Sequence, residues 1–306
     1  MQTVLSVIST ALPVFVALGI GMFCRSSGFL TREVVEGLKK VIINLTLPFV
    51  LFQSFASADY SPSAFVQPAL IFVTCCIMLA LGFLWIKVSK SDSKSAPFLA
   101  SGFEAGMLGF SLFALLFPDK SMSSFAMVTL GQEIFVFTVY KMLLTGKTSP
   151  KAILQDILTS PTLIAVILGL IVGASGLYGL LDSLGIGAVI ASVTGFISAP
   201  TGTIILFAIG FDLVLREINW KKTGAWIAMR LVIAGAMTAL LILINRTLLG
   251  GMIFEGALVV LFILPPPYII PILSKEEGER VNISSALSAL TLLTMILFAV
   301  CSVLFA

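Results

Sequence analysis

The sequence predicts an all-α polytopic membrane protein with ten transmembrane helices, arranged as a five-plus-five inverted repeat with two broken, crossing helices. Three observations support this prediction: the composition, the distribution of basic residues, and two apolar segments interrupted by proline or glycine. Apolar residues make up 58% of the 306-residue chain and charged residues only 11%. The mean hydropathy of +1.13 lies far outside the range of soluble domains. The apolar blocks are continuous, whereas a transmembrane β-barrel would require alternation of polar and apolar residues.

A helix needs about 20 apolar residues to cross the hydrocarbon core. Cutting the chain at its charged and turn-rich segments leaves ten candidate spans. Spans 1 to 10 cover residues 4–24, 38–57, 64–86, 97–117, 122–144, 161–181, 187–213, 223–245, 254–273 and 281–305. The predicted repeats are residues 1–150 and 151–306, with five spans in each.

The basic residues alternate between the two sides of the membrane that this segmentation predicts. Fifteen of the eighteen Lys and Arg residues follow odd-numbered spans, and Lys120 and Arg246 are the two that follow even-numbered spans. The positive-inside rule places the Lys- and Arg-rich loops in the cytoplasm and therefore both termini outside. This predicts a multi-pass protein of the cytoplasmic membrane. The net charge of +3 comes from these loops, and no nucleic-acid partner is expected.

The two predicted repeats share a weak pattern of proline and glycine. Three residues of span 1 and its following loop recur 148 positions later in the chain. The pairs are Pro13 and Pro161, Gly21 and Gly169, and Gly28 and Gly176. Span 2 then carries Leu47-Pro48 followed by Phe52, and span 7 carries Ala199-Pro200 followed by Phe207. Because each repeat has an odd number of spans, the two repeats would have opposite orientations, and each would supply one broken helix near the centre of the membrane.

Span 9 contains the stronger of the two predicted breaks. Its sequence is Leu264-Pro265-Pro266-Pro267-Tyr268-Ile269-Ile270-Pro271. A proline inside a helix removes a backbone donor and clashes with the preceding turn. In lipid, such a break persists only where protein or a water-filled cavity surrounds it, and many secondary transporters bind their substrates at breaks of this kind. We therefore include Pro265, Pro266, Pro267 and Tyr268 in the candidate binding site.

Span 4 is the predicted partner of this break. Its middle reads Ser101-Gly102-Phe103-Glu104-Ala105-Gly106-Met107-Leu108-Gly109. Glycine permits non-helical backbone and close approach of a second chain segment, which makes Gly106 and Gly109 site candidates. The alternative is that the glycines only allow close packing of helices.

Five groups of residues, spread along the chain, carry a resemblance to a known family. They are Ala11-Leu12-Pro13-Val14-Phe15, Gly28-Phe29-Leu30, Asn44-Leu45-Thr46-Leu47-Pro48, Ser160-Pro161-Thr162-Leu163 with Gly169, and Leu264-Pro265 with Ile269-Ile270-Pro271 and Glu276 or Glu277. With these segments the sequence resembles the auxin efflux carrier family, bacterial type, over nearly its whole length. The family relation predicts a fold like that of the bile-acid symporters, in which a scaffold domain and a crossover domain each contain helices of both repeats. This chain differs from its relatives in two places: Glu104 replaces the usual asparagine, and Gly109-Phe110-Ser111 replaces a frequent glycine–proline pair.

Five polar or charged residues at predicted membrane depth complete the candidate site, because ionisable groups are costly there and usually functional. Glu104 lies in the middle of span 4, and Gln132 and Glu133 lie about halfway along span 5. Arg230 is the predicted counter-ion of these carboxylates or an anchor for an anionic substrate, unless its side chain extends to the cytoplasmic face. Asn44, close before Pro48, is the cavity-lining candidate of span 2. Helix–helix hydrogen bonding is the alternative role for Gln132 and Glu133.

Two transport hypotheses follow from these residues. The first is a secondary transporter of a small organic solute, a carboxylate, working by alternating access around the crossing of spans 4 and 9. The second is a proton- or cation-coupled carrier of a neutral or cationic solute, with Glu104 as the coupling residue and H+ or Na+ as the ion. A sensor that keeps the carrier fold without transporting is a third hypothesis. The chain has no histidine and no evident nucleophile–base pair, so neither an enzyme activity nor a cofactor or metal is expected. The expected partners are the solute, the lipid bilayer and a second copy of the chain.

Overall fold

The computed structural model describes residues 2–58, 60–61, 64–146, 155, 158–213, 220–273 and 277–305. Within these ranges the chain forms helices and no strand. The connection between the two predicted repeats, 147–154, lies outside the described residues, and so the boundary at 150/151 stays a prediction. The same holds for Lys147, Lys151, Arg216 and Lys275 of the basic loops.

The first predicted repeat contains short 3-10 and π segments as well as α-helices. In a π-helix each backbone hydrogen bond spans five residues instead of the four of an α-helix, and such segments often mark a functional region. The segments Ile42–Thr46, Ala105–Gly109 and Val136–Tyr140 are π-helical, and Ala96–Ala100 is a 3-10 helix. The α-helices are Gln2–Ser27, Arg32–Val41, Leu47–Ala56, Val66–Val88, Phe110–Leu116, Met122–Phe135 and Lys141–Thr145.

The second predicted repeat is α-helical in the part that the structure describes. Pro161 is the first residue of a helix, as predicted, and the Ser160 hydroxyl accepts a hydrogen bond from the backbone N–H of Leu163 at that helix start. Proline is favoured at this position because its missing N–H would have no partner there. The α-helices are Pro161–Ala174, Leu177–Ser183, Ile186–Ser198, Thr201–Asp212, Trp220–Thr247, Glu255–Ile263, Ile270–Leu273 and Glu277–Leu304.

Span 6 differs from its predicted form, a single helix over 161–181. The helix ends at Ala174, and Leu177–Ser183 continues at an angle of 70°. Gly176 lies between them with φ +73°, a left-handed conformation that ends helices and that glycine adopts without strain. The bend therefore follows from a residue that we noted only as a repeat marker.

Several helices are long and apolar enough to cross a membrane. By length and composition, six helices of the described part qualify, and a seventh does if the bent pair Pro161–Ala174 and Leu177–Ser183 is one span. In the described ranges the chain is thus all-helical, with several helices that are long and apolar enough to span a membrane.

Close helix contacts fix the segments around the middle of span 4. At Gly131, an added Cβ would overlap the carbonyl oxygen of Pro68, so helices Met122–Phe135 and Val66–Val88 touch through their backbones. The hydroxyl of Tyr140 donates to the carbonyl of Phe98 at 2.9 Å. The hydroxyl of Ser101 donates to the carbonyl of Cys75 at 2.7 Å. These bonds anchor the chain just before its break at 101–104 and at the first residue of that break.

Candidate functional site

Two interruptions of the helical backbone contact each other, and we call this contact the crossing. The first is 101–104, between the helices Ala96–Ala100 and Ala105–Gly109, and the second is 264–269, between Glu255–Ile263 and Ile270–Leu273. The backbone N–H of Glu104 donates to the carbonyl of Pro265 at 2.9 Å. In the other direction, the backbone N–H of Tyr268 donates to the carboxylate Oε2 of Glu104 at 2.8 Å. Each break thus supplies a hydrogen-bond acceptor to a backbone N–H of the other break, where the helix is interrupted.

Glycines allow the two breaks to approach this closely. Gly102 has φ +70°, and a Cβ on it would lie 3.0 Å from Cγ of Pro267. A Cβ on Gly109 would lie 2.7 Å from Cδ1 of Leu264, closer than side chains pack. Gly106 is half-buried, and its Cβ position lies 3.6 Å from Cδ2 of Leu47. Pro265, Pro266 and Pro267 are all buried at this contact.

Gln132 holds the first break from the side. Its amide Nε2 donates to the carbonyl of Phe103 at 3.0 Å, and its Oε1 accepts from the N–H of the same residue at 3.3 Å. Nε2 also donates to Oε1 of Glu133 at 3.2 Å. A buried amide that pairs with both backbone groups of one residue satisfies that residue as a strand partner would. Gln132 therefore connects the crossing to Glu133.

Glu104 and Glu133 place two carboxylates beside the crossing. Both are half-buried, and Gln132 links them, because its Nε2 donates to Oε1 of Glu133 and to the carbonyl of Phe103, the residue before Glu104. Within the described residues, neither forms an ion pair with Lys or Arg. Two carboxylates near each other in a low-dielectric region are best satisfied by a shared proton or by a cation.

Arg230 is 2% exposed and does not extend to the membrane surface. Its two terminal nitrogens donate to the carbonyls of Leu99 at 3.4 Å and Leu264 at 3.0 Å. Its guanidinium carbon lies 4.6 Å from the centre of the Phe103 ring. Leu99 lies at the end of the helix Ala96–Ala100 and Leu264 directly follows the helix Glu255–Ile263, so both carbonyls lie where the partial negative charge of a helix end accumulates. Arg230 thus bonds to backbone on both sides of the crossing.

The structure does not bring Asn44 into this group. Asn44 is exposed, and its Nδ2 donates to the carbonyl of Lys40 at 2.8 Å within its own helix. Tyr268 does lie at the crossing: besides its N–H, its hydroxyl pairs with that of Thr291 at 3.0 Å.

Two threonines were missed by the sequence reasoning. Thr46 is 6% exposed and Thr201 is 4% exposed, and neither hydroxyl has a hydrogen-bond partner among the described residues. Thr46 precedes Pro48 by two residues, and Thr201 follows Pro200 directly. This nearness to the matched prolines is the signal that could have identified them.

Comparison with known proteins identifies two similarities. A family model described as "Membrane transport protein" matches residues 6–156. The chain is also 24% identical over 239 residues to an uncharacterized transporter from Methanothermobacter thermautotrophicus, a match that covers 75% of this chain and 76% of that protein. The matched family region contains the first break, Gln132 and Glu133.

Proposed function

Because this chain belongs to the membrane transport protein family that includes the auxin efflux carriers, we propose that it is a secondary transporter that couples the movement of a small organic solute to that of H+ or another cation. The observation that carries the proposal is a pair of half-buried carboxylates at the crossing: Glu104 accepts from the N–H of Tyr268, and Glu133 accepts from Gln132. As a member of a transport family, the chain is inferred not to be an enzyme.

The proposed architecture has ten spans in two inverted five-helix repeats, and reciprocal contacts support it. A Cβ on Gly21 would overlap the carbonyl oxygen of Phe207, and a Cβ on Gly169 would lie 2.8 Å from the carbonyl oxygen of Phe52. Span 1 thus packs on span 7 of the other repeat, and span 6 packs on span 2. The glycines and the phenylalanines are pairs that the sequence pattern had matched. Gly28 and Gly176 also match in conformation, with φ of +69° and +73°.

Coupling to a cation agrees with the hydrogen bonds at the crossing. The Glu104 carboxylate accepts from the N–H of Tyr268, a donor that a carboxylate solute would otherwise use. The donors of Arg230 are directed at backbone carbonyls, so this residue offers little to an anionic solute. Two carboxylates also repel an anion unless they are protonated or bind a cation. A neutral or cationic solute therefore fits the crossing better than the carboxylate expected first from the sequence.

Alternating access would proceed by movement of the crossover domain, which carries the crossing, against the scaffold domain. Binding of the proton or cation would reduce the repulsion between Glu104 and Glu133 and so change the relative stability of the outward- and inward-facing states. Insertion in the cytoplasmic membrane with both termini outside, and assembly as a homodimer, remain part of this proposal.

Replacing Glu104 by glutamine is expected to uncouple transport from the ion gradient. The amide keeps the shape of the side chain but exchanges no proton and carries no charge. We expect gradient-driven uptake into proteoliposomes to fall by about tenfold or more, equivalent to an increase of about 1.4 kcal/mol or more in the activation free energy of uptake. The measurement is uptake of radiolabelled neutral, cationic and anionic metabolites with and without imposed pH and Na+ gradients.

Glu255→Gln is the matched control for this experiment. Glu255 binds Arg246 at 2.6 Å in an exposed ion pair, and we expect its substitution to leave uptake unchanged. If Glu104→Gln transports at the wild-type rate with an unchanged response to both gradients, the coupling role is wrong.

A further inference from the structure

Thr46 and Thr201 differ from the other buried threonines of this chain. Thr74, Thr291 and Thr294, for example, each donate to the carbonyl four residues earlier in their own helix. The hydroxyls of Thr46 and Thr201 have no partner within the described residues, although both side chains are more than nine-tenths buried. Buried polar groups are almost always hydrogen-bonded, so an unpaired hydroxyl indicates a water molecule or a ligand.

Both threonines lie in the region where span 2, which contains Pro48, and span 7, which contains Pro200, pack near the segment that follows Glu104. Thr46 is the last residue of the π-helix Ile42–Thr46, and Thr201 is the first residue of the helix Thr201–Asp212; these two elements pack against each other. Thr201–Asp212 also packs against Ala105–Gly109.

The residue after each threonine contacts this segment. Cδ2 of Leu47 lies 3.6 Å from the Cβ position of Gly106. The hydroxyl oxygen of Ser111 lies 3.3 Å from the Cβ position of Gly202. The two unpaired hydroxyls are therefore next in sequence to residues that border the segment 105–111, one hydroxyl from each predicted repeat.

We propose that Thr46 and Thr201 form a hydrogen-bonding subsite for an uncharged polar group of the transported solute, a hydroxyl or a carboxamide. The proposal rests on the proposed transport function and extends it by naming the chemistry of the solute. A hydroxyl or carboxamide both donates and accepts, and so it can satisfy two threonine hydroxyls at once. Ligand and ion would then bind to different groups: the solute to the threonines, the coupling ion to Glu104 and Glu133.

The segments that border the subsite favour an uncharged group as its ligand. The segments Ile42–Thr46, Ala105–Gly109 and Phe110–Leu116 contain no charged side chain. The charged residue of Thr201–Asp212 is Asp212, which lies eleven residues from Thr201, about 16 Å along a helix, and pairs with Lys39. Burying a charge against hydroxyls alone is costly, whereas an uncharged polar group needs only the hydrogen bonds that these hydroxyls offer.

The first test measures whether the hydroxyls are unpaired in the solute-free protein. Valine keeps the shape of threonine and removes the hydroxyl, so Thr46→Val and Thr201→Val are expected to leave the melting temperature in detergent unchanged or raised. Thr294→Val is the matched control, because the Thr294 hydroxyl also donates to the carbonyl of Ile263 at 2.6 Å, and its loss should lower the melting temperature. If Thr46→Val and Thr201→Val are as destabilising as Thr294→Val, the hydroxyls are bonded within the fold and the proposal is wrong.

The second test measures binding of three probes that share a three-carbon chain: malonamide, malonate and 1,3-diaminopropane. We expect malonamide to bind the protein in nanodiscs more tightly than the two charged probes. The Thr46→Val/Thr201→Val variant should weaken malonamide about tenfold through the loss of two hydrogen bonds, and Thr46→Ser/Thr201→Ser should restore it. Equal affinity of the valine variant and the wild type means that only water occupies the subsite. Each of three results would overturn the proposal: equal affinity of the valine variant and the wild type, absence of malonamide binding, or tighter binding of a charged probe.

These measurements need no ion gradient, so they separate the subsite from the coupling. Threonine-dependent malonamide binding together with an unchanged gradient response of Glu104→Gln would overturn the proposed coupling and leave the subsite standing. If Glu104→Gln loses the gradient response and the threonine substitutions leave malonamide binding unchanged, the subsite is overturned and the proposed coupling stands.

Discussion

Replacing Gly131 by alanine is expected to destabilise the protein by about 3 kcal/mol, the upper range for overpacking of a helix contact. The added Cβ would overlap the carbonyl oxygen of Pro68 and lie 2.8 Å from its carbonyl carbon and 2.9 Å from the backbone nitrogen of Phe72. All three are backbone atoms of the helix Val66–Val88, so no change of rotamer can relieve the overlap. The helices must separate instead.

Such a separation would also reach the candidate site. Gly131 immediately precedes Gln132, whose amide holds Phe103 in the first break. We therefore expect Gly131→Ala to lower both the melting temperature and the uptake activity of the protein that still folds. Fluorescence-detected gel filtration after heating measures the first effect, and proteoliposome uptake measures the second.

Gly235→Ala is the matched control for this substitution. Gly235 lies inside the helix Trp220–Thr247, and its Cβ position has no atom within 4 Å. Alanine in a helix interior is favoured over glycine by roughly 0.5–1 kcal/mol, so this variant should be as stable as the wild type or slightly more so. A wild-type melting temperature for Gly131→Ala would contradict the close contact.

The breaks and their contact were accessible from the sequence because proline and glycine act through local backbone chemistry. Four prolines in span 9 remove backbone donors wherever the span packs, and the glycines of span 4 permit irregular backbone. Glu104 could be placed beside them because a carboxylate at membrane depth needs a partner. The hydrogen bonds of Glu104 with Pro265 and Tyr268 agree with that expectation.

The partners of Arg230 and Asn44 could not be predicted in the same way. Arg230 was expected to pair with a carboxylate or an anion, but its donors bind carbonyls of Leu99 and Leu264. Every residue has a carbonyl, so a sequence gives no sign of which one lacks a partner. The place of Asn44 beside a cavity stays a prediction; in the π-helix Ile42–Thr46 its side chain is exposed and donates to the carbonyl of Lys40. The inward polar residue is Thr46.

Replacing Arg230 by methionine is expected to destabilise the protein by about 3 kcal/mol and to abolish transport. Methionine fills much of the same volume but leaves the carbonyls of Leu99 and Leu264 without a donor, and each buried unpaired group costs about 1–3 kcal/mol. Removal of the guanidinium also removes the free-energy cost of burying its charge. The expected net destabilisation is therefore smaller than the sum of two hydrogen bonds from a charged donor. Because the carbonyls belong to both broken spans, their loss of partners should loosen the crossing itself.

Arg230→Lys distinguishes a bridge from a simple positive charge. The planar guanidinium directs two nitrogens at two carbonyls, whereas an ammonium is a single point charge. We expect Arg230→Lys to be destabilised by more than half as much as Arg230→Met and to transport poorly. Arg246→Met is the control, because Arg246 is exposed and its pair with Glu255 should contribute little to stability. Wild-type melting and uptake in Arg230→Lys would show that only the charge matters, and the bridge between the two breaks would then play no part in transport.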